Sequence, residues 1–479
     1  MRGAPGGAEA GDHAITEVEA EGDAGAEAEA EGDAGAELEA AEVDAEADPL
    51  QEPGVIAAPP RPAAFAALAA TRPAPAGAAF LRSGVHARRL LLLKALLVRV
   101  RRHRDEVAPE TLHGFETAWR LLERTERAAP GVVRAVLDYP TTGAWLAAAL
   151  TEPAGPALDR HLTRLELVAA TAALRAGRPL DLVVQAPGGV LSLPGVGSVL
   201  VAPGPVRLTS RSQAVRVRSD DARGAPAALL RLVDARTGAV TGSGPGWRGL
   251  RGLAGGAARL EDLDPYRVPP GGVGTPARIA AERPDIDHAT WSAHWRAAGE
   301  LLRRTDRERA TEVGRTVGAL VPLLPHGPRS VGATLSVAPG AVLMTPSAGA
   351  FDMAETLVHE LHHSKLSTLH ELVPLYRPGR AALYRVGWRT DARPVAGVFQ
   401  GAYAHLALAD LWRRAMAAPG VPGPWSVRAV QQFDHVHDQV GEALAMLLES
   451  DELTNEGREF ARQMRQLHAS LGASPRARG

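Results

Sequence analysis

The spacing of apolar residues divides the chain into helical and β-prone stretches. Helical periodicity extends from Pro53 to Pro179 and includes Arg88 to Arg104, whose apolar centre and basic ends predict a core helix. Between Leu182 and Leu263, short β-prone runs alternate with Pro and Gly, which predicts a small sheet or barrel-like insert. Helices are predicted again from Ala289 to Arg304 and from Asp306 to Leu320.

The next stretch combines two short strands with two long helices. The strands are predicted near Ser330 to Val337 and Ala341 to Thr345, immediately before an apolar helix from Met353 to Val373. That helix contains no Gly or Pro and ends before Pro374, as a buried helix should. A second helix is predicted from about Val395 to Ala417.

These elements predict an α+β protein that is predominantly α-helical. A strand followed by the 353–373 helix is the layout of zincin-like metal-binding domains, and the β-rich part forms a small insert. The sequence suggests four regions: an acidic tail at 1–52, a helical region at 53–180, a β-rich region at 181–267 and a helical metal-binding catalytic domain at 277–479.

The first 52 residues differ from the rest in composition and charge. They contain 17 acidic residues and only one Arg or Lys, Arg2, and part of the segment repeats every ten residues. Such a segment has too little apolar surface to fold, so we expect it to be disordered. The rest of the chain then has a formal charge of +14, although the whole chain has −2. The tail could compete with an acidic partner for this basic body, or simply keep the protein in solution.

Composition also excludes several classes of site. The chain has no cysteine, so disulfides, zinc thiolates and iron–sulfur clusters are excluded and any metal must bind nitrogen and oxygen. We find no apolar stretch of membrane-spanning length and no signal peptide, so a cytoplasmic protein without membrane contact is expected. The 88–104 helix is too apolar to favour nucleic-acid binding.

The HELHH sequence from His359 to His363 is the strongest indication of chemistry. Histidines four residues apart lie on one face of a helix and can bind the same metal ion, with Glu360 next to them. His362 points to a different face, which suggests a supporting or structural role. His370 is two turns beyond His363, roughly 10 Å along the axis, and cannot reach the same ion.

His405, in the predicted 395–417 helix, is the preferred third ligand. Gly397, Gly401 and His405 follow one another at intervals of four residues. This glycine stripe would let their helix lie close to the 353–373 helix, which carries the HELHH motif and is called the metal helix below. The alternative ligands are carboxylates, and a plain buried histidine at position 405 also stays possible. These carboxylates belong to Glu371, Asp391 and Asp410. Glu355 is a candidate acceptor for a ligand histidine.

Three segments resemble a known family. The run ETLVHELHHSKLSTLHELVPLY (Glu355 to Tyr376), the run WRTDARPVAGVFQGAYAHLALADLWR (Trp388 to Arg413) and LEDLDPYRVP (Leu260 to Pro269) are similar to HExxH-motif peptide-modification proteins of actinobacterial peptide natural-product clusters. The resemblance covers about Leu180 to Arg413. Members of that family are understood as iron(II)- and 2-oxoglutarate-dependent β-hydroxylases of ribosomally made precursor peptides, often encoded beside a radical-SAM maturase.

The resemblance implies that His359 and His363 bind Fe(2+). It also implies 2-oxoglutarate as the cosubstrate, a ribosomal precursor peptide as the substrate and a radical-SAM maturase from the same cluster as a further partner. We add Arg393 as the candidate for the distal carboxylate of 2-oxoglutarate, because a guanidinium pairs with a carboxylate through two hydrogen bonds. The competing candidates for this role are Arg389, Arg385 and Arg377.

Two other hypotheses remain open. In a zinc metallopeptidase, Glu360 would be the catalytic base that activates a metal-bound water. In the hydroxylase it would instead orient a ligand, a water or the peptide. The third hypothesis is a non-enzymatic binding protein with a degenerate site.

Overall fold

The computed structural model describes residues 60–472, except 212–213, 220–225, 256–257, 275, 327–329, 378–381 and 390. The acidic segment predicted at 1–52 lies outside these residues. Helices account for about 56% of the chain and strands for about 16%, which confirms an α+β protein that is mostly helical. In the described part of the chain, no helix is long and apolar enough to cross a membrane.

The N-terminal part is a group of helices, of which all but the last have proline in the first turn, where the missing N–H costs nothing. Arg88 to Arg104, predicted as a core helix, falls almost entirely within the second helix. The helices are α1 (Pro62–Ala69), α2 (Pro75–Arg102), α3 (Pro109–Ala128), α4 (Pro130–Leu137), α5 (Pro140–Thr151), α6 (Pro156–Leu162) and α7 (Arg164–Arg175).

The predicted β-prone insert forms two antiparallel sheets beside α7. One sheet has the strand order β1-β4-β5-β6-β7 and the other β2-β3-β8. Their strands are β1 (Asp181–Ala186), β2 (Val190–Leu193), β3 (Gly197–Leu200), β4 (Gly204–Arg211), β5 (Ala214–Ser219), β6 (Ala228–Asp234), β7 (Ala239–Ser243) and β8 (Trp247–Gly249). Alternate residues of β1, β4 and β5 are buried against α7 and its neighbours.

A third sheet precedes the metal helix and has the order β12-β13-β11-β10-β9. The central strands β10, β11 and β13 are parallel, whereas the edge strands β9 and β12 are antiparallel to their neighbours. The predicted regions 181–267 and 277–479 both contribute strands to it. The strands are β9 (Arg251–Gly252), β10 (Arg259–Leu260), β11 (Ala319–Pro322), β12 (Gly332–Ala333) and β13 (Ala341–Met344).

Among the described residues, six helices complete the C-terminal part, and the largest apolar core of the protein surrounds the metal helix. The predicted helix from Asp306 to Leu320 was wrong at its end, because the helix stops at Thr316 and the apolar run that follows is the fully buried strand β11. The helices are α8 (His288–Thr305), α9 (Arg307–Thr316), α10 (Ala350–Leu372), α11 (Val395–Ala417), α12 (Gly423–Glu449) and α13 (Asn455–Gly472).

Candidate metal centre

Helix α10 presents two histidines of the HELHH motif on one face. Because His359 and His363 are one turn apart, their rings lie side by side, with centroids 4.6 Å apart. Their Nε2 atoms are 3.0 Å from each other. His359 is almost fully buried, at 2% exposure, while His363 is partly exposed, so the pair is open to solvent on the His363 side.

Helix α11 brings His405 to the same place. Its ring centroid is 5.0 Å from that of His359, and the two rings are nearly perpendicular. The structure therefore brings together the three histidines predicted as ligands. Within the described residues, however, no group of three or more His, Cys, Asp or Glu side chains is placed so that it could hold a metal ion as it stands. The three imidazole rings converge, but their nitrogen atoms are not arranged around a common point.

Hydrogen bonds fix the tautomer of two of these histidines. Gln400 donates its amide N–H to Ser367 Oγ (2.8 Å), so its Oε1 is left to accept from His363 Nδ1 at 3.1 Å. His405 Nδ1 donates to the carbonyl of Gly401 at 2.9 Å, one turn earlier in α11. In both rings the proton is on Nδ1 and the lone pair on Nε2, which is the tautomer that a metal ion needs.

The third ring has an unsatisfied nitrogen. His359 Nδ1 is buried and has no hydrogen-bond partner in the described part of the chain. Glu355, expected to accept from a ligand histidine, instead accepts from Trp412 Nε1 (2.8 Å) and Arg428 Nε (3.1 Å). Because His363 Nε2 carries a lone pair, the proton in the 3.0 Å contact between the two Nε2 atoms belongs to His359. If a cation replaced that proton, His359 would carry its proton on Nδ1, which has no acceptor in the described residues. The three-nitrogen donor set is one that iron and zinc accept, and the partner of His359 Nδ1 is the part that does not fit.

Burial keeps the three imidazoles uncharged at neutral pH. Desolvation lowers the pKa of His405 to about 4 and lowers that of His363, where the Gln400 hydrogen bond acts in the opposite direction. The pKa of His359 is well below its usual value because of burial and, to a smaller extent, the neighbouring histidines. Neutral imidazole is the form that binds metal, so little proton release would accompany binding at pH 7.

Glu360 lies under the edge of the third sheet. Its Oε2 accepts a hydrogen bond from Thr334 Oγ1 at 2.7 Å, and its side chain is 3% exposed. Gly332 of β12 lies so close to it that a Cβ at this position would be 2.6 Å from Glu360 Oε1. The carboxylate predicted as catalytic is therefore held between the metal helix and strand β12.

Arg393, predicted to bind 2-oxoglutarate, lies two residues before α11. Its Nε is 2.9 Å from Asp391 Oδ2, and its side-chain stem packs against Gly397. Arg389 approaches the same carboxylate, with Nε 2.7 Å from Oδ1. Arg377 lies elsewhere and donates to the carbonyl of Asp451. Arg389 and Arg393 thus form a small basic group at the start of the helix that carries His405.

The other ligand candidates have different partners. Glu371 pairs with Arg88, Asp391 with Arg389 and Arg393, and Asp410 with Arg309 and Arg414. His370 Nδ1 accepts from the backbone N–H of Leu375 at 3.1 Å, and its ring stacks on Tyr376. His362 faces away from the site, as predicted, and contacts Arg309.

The glycine stripe of α11 does not pack against the metal helix, although the sequence predicted that it would. Gly397 accommodates the stem of Arg393, and a Cβ at Gly401 would be 2.7–2.9 Å from the indole of Trp388. The stripe therefore receives the loop before α11, whereas the prediction placed the metal helix against it. The sequence analysis also missed Gln400, although a polar residue in an otherwise apolar helix was a usable signal. No local pattern indicated Ser367 or Trp388.

No model of a known protein family matches the chain, and no curated protein sequence matches it either. The geometry of the three histidines and the three sequence segments that resemble HExxH-motif peptide-modification proteins are what bear on the function of the chain.

Proposed function

We propose that the protein is an iron(II)- and 2-oxoglutarate-dependent hydroxylase that acts on a β-carbon of a residue in a ribosomally synthesised precursor peptide. The observation that carries the proposal is the convergence of His359, His363 and His405, each neutral and two of them fixed with Nε2 free. Three nitrogen ligands leave positions at an octahedral ion for a chelating keto acid and dioxygen. The resemblance to HExxH-motif peptide-modification proteins supports iron over zinc.

His359, His363 and His405 would hold the iron, which when bound supplies dioxygen activation coupled to the oxidative decarboxylation of 2-oxoglutarate. Gln400 and the Gly401 carbonyl would keep the proton of two ligand rings on Nδ1. Arg393, with Arg389 beside it, would pair with the distal carboxylate of the keto acid and displace Asp391 from the ion pairs described above. Desolvation at the buried end of the site would exclude water from the reacting atoms.

Glu360 supports the hydroxylase over the zinc metallopeptidase. A peptidase needs this carboxylate free to take a proton from a metal-bound water. Here Oε2 is engaged by Thr334 Oγ1 and the side chain is confined beneath Gly332. We infer that Glu360 holds the chain around Gly332 and Thr334 in place beside the metal helix, and that it does not act as a base.

A zincin-like arrangement is the finer fold that we propose. Strand β13 leads into the metal helix, and the short edge strand β12 lies over Glu360. In the described residues β12 is the last strand of its sheet, and an extended peptide could add to its outer edge by main-chain hydrogen bonds and so pass the open side of the proposed metal site. A radical-SAM maturase that acts on the same peptide would do so before or after this protein, and the two enzymes would not need to contact each other.

The test uses the full chain, loaded anaerobically with ferrous iron and then given 2-oxoglutarate, air and a candidate precursor peptide. We expect one succinate for each oxygen atom added to the peptide, measured by mass spectrometry and succinate assay. Peptide cleavage with the zinc-loaded chain, independent of 2-oxoglutarate, would establish the peptidase instead. A chain that binds neither metal would contradict both enzymes and leave the non-enzymatic hypothesis.

A further inference from the structure

Trp388 makes a close contact with the third candidate ligand. Its indole stacks on the imidazole of His405, with centroids 4.7 Å apart and planes inclined by 22°. Trp388 is 2% exposed, although it belongs to the loop between α10 and α11. A loop residue buried face to face against a candidate metal ligand calls for an explanation, because loop residues are usually at the surface.

One glycine makes room for this indole and a second for the turn that carries it. A Cβ at Gly401 would be 2.7 Å from Trp388 Nε1 and 2.8 Å from Cζ2, which no side chain can tolerate without displacing the ring. A Cβ at Gly387 would be 2.6 Å from Cγ of Gln439 on α12. The Gly387–Trp388 turn is thus seated between α11 and α12, and Trp388 has little freedom to move.

Gly401 connects the two contacts of His405. Its missing side chain admits Trp388, and its carbonyl accepts the Nδ1 proton of His405 at 2.9 Å. The hydrogen bond fixes one ring atom, but the second side-chain torsion of histidine is broad and leaves the plane of the ring loosely defined. Stacking on a fixed indole determines that plane.

We propose that Trp388 is a positioning residue that sets the ring plane of His405 and thereby aims its Nε2 at the metal. The inference rests on the proposed metal centre. A metal–imidazole bond lies in the ring plane, so a tilt of the ring removes His405 from coordination even when its Nδ1 hydrogen bond survives. The indole face also favours the positive charge that an imidazole gains on binding a cation.

The test measures cobalt(II) binding, because this ion reports its coordination through its visible spectrum. In full-length protein we expect Trp388→Leu to weaken cobalt binding about 10- to 100-fold, as loss of a supporting contact typically does. The d–d bands should also change toward those of His405→Ala. Trp388→Phe, which keeps an aromatic face, should retain most of the affinity. Gly401→Ala should weaken cobalt binding as Trp388→Leu does, because the added methyl group displaces the indole while both aromatic side chains stay in the protein.

Trp412→Phe is the matched control. Trp412 is a buried tryptophan on α11, the helix that carries His405; it is 4% exposed, but its indole N–H donates to Glu355. This variant should retain wild-type cobalt affinity and spectrum, whatever its effect on thermal stability. In a His405→Ala background, Trp388→Leu should cause no further loss of affinity, since its effect acts through that ring.

The outcomes separate the two proposals. If the wild-type chain binds no cobalt, or if His405→Ala binds it with unchanged affinity and spectrum, the proposed metal centre is wrong and the role of Trp388 falls with it. If His405→Ala weakens binding but Trp388→Leu and Gly401→Ala do not, the metal centre stands and the positioning role is wrong. Additive losses in the double variant would also overturn the positioning role.

Discussion

Helix α10 carries histidines on two faces, and the surroundings of these faces are opposite in character. On the front face, His359 and His363 meet each other and His405, and His359 Nδ1 has no hydrogen-bond partner among the residues that the structure describes. On the back face, both nitrogens of His362 are engaged: Nδ1 donates to the Val358 carbonyl at 2.7 Å, and Nε2 accepts from Arg309 Nη1 at 2.9 Å. Neighbouring positions in one motif therefore have different surroundings: the proposed metal ligands lie in front, and a histidine with two hydrogen-bond partners lies behind.

The back face belongs to a buried charge network. Arg309 is 0% exposed and contacts Asp410 on α11 as well as His362 on α10. Lys365 Nζ, also on α10, is 2.8 Å from Glu312 Oε1. Positive and negative side chains balance within the network, so each charge has a partner and burial is tolerated. The network ties together the two helices that carry the candidate ligands.

The largest expected difference is between alanine substitutions on the two faces. We expect His359→Ala and His363→Ala to lose stoichiometric metal binding, because each removes a ligand. His362→Ala should retain the metal but lower the free energy of unfolding by about 1–3 kcal/mol, since Arg309 loses an acceptor. Metal content after dialysis and urea unfolding measure the two effects. Full metal occupancy in His359→Ala would refute the assignment of the front face.

The second prediction concerns the network itself. Arg309→Met should lower the free energy of unfolding by about 1–3 kcal/mol, because His362 loses a buried donor while Asp410 keeps Arg414 and Glu312 keeps Lys365 as partners. Arg303→Met is the control, since Arg303 is 56% exposed and its loss should change stability by no more than about 0.5 kcal/mol. Equal urea midpoints for the two variants would mean that the back face does not support the helix.

The sequence predicted the front face better than the back face, for a physical reason. The spacing of His359 and His363 follows from helix periodicity alone, and His405 stood out in an apolar helix. Arg309 lies 53 residues before His362 and could not be assigned to it from local pattern. The Gly401 stripe was noticed, but its partner Trp388 is in a loop whose path no periodicity predicts. Strand β11 was taken for the end of a helix because a short buried apolar run fits both elements.

A fourth histidine on α10, His370, also has a structural environment, and its contribution to stability can be tested by changing the pH. Burial lowers the pKa of His370 to about 4 from 6.5, and its Nδ1 accepts from Leu375 N–H. Between these two values the unfolded chain binds more protons than the folded one, so stability should fall as the pH drops from 6.5 toward 4. The loss for this residue is at most about 3 kcal/mol.

His370→Asn isolates that contribution, because its side-chain oxygen can accept the same backbone N–H but does not titrate. We expect a shallower decline of the unfolding free energy between pH 6.5 and 4 in this variant, measured by urea unfolding at several pH values. Parallel curves for the variant and the wild type would show that His370 is already protonated in the folded state or is not buried.

The smallest predicted effect concerns how the front face is supported. Gln400→Leu removes the acceptor of His363 Nδ1 and should weaken metal binding about 10- to 100-fold, or about 1.4–2.7 kcal/mol. Gln400→Glu keeps an acceptor and should retain affinity. Ser367→Ala, which only frees the Gln400 amide group, should cost less than Gln400→Leu. If Gln400→Leu binds cobalt(II) as tightly as the wild type in a titration, His363 needs no fixed tautomer, and the front face would depend on helix geometry alone.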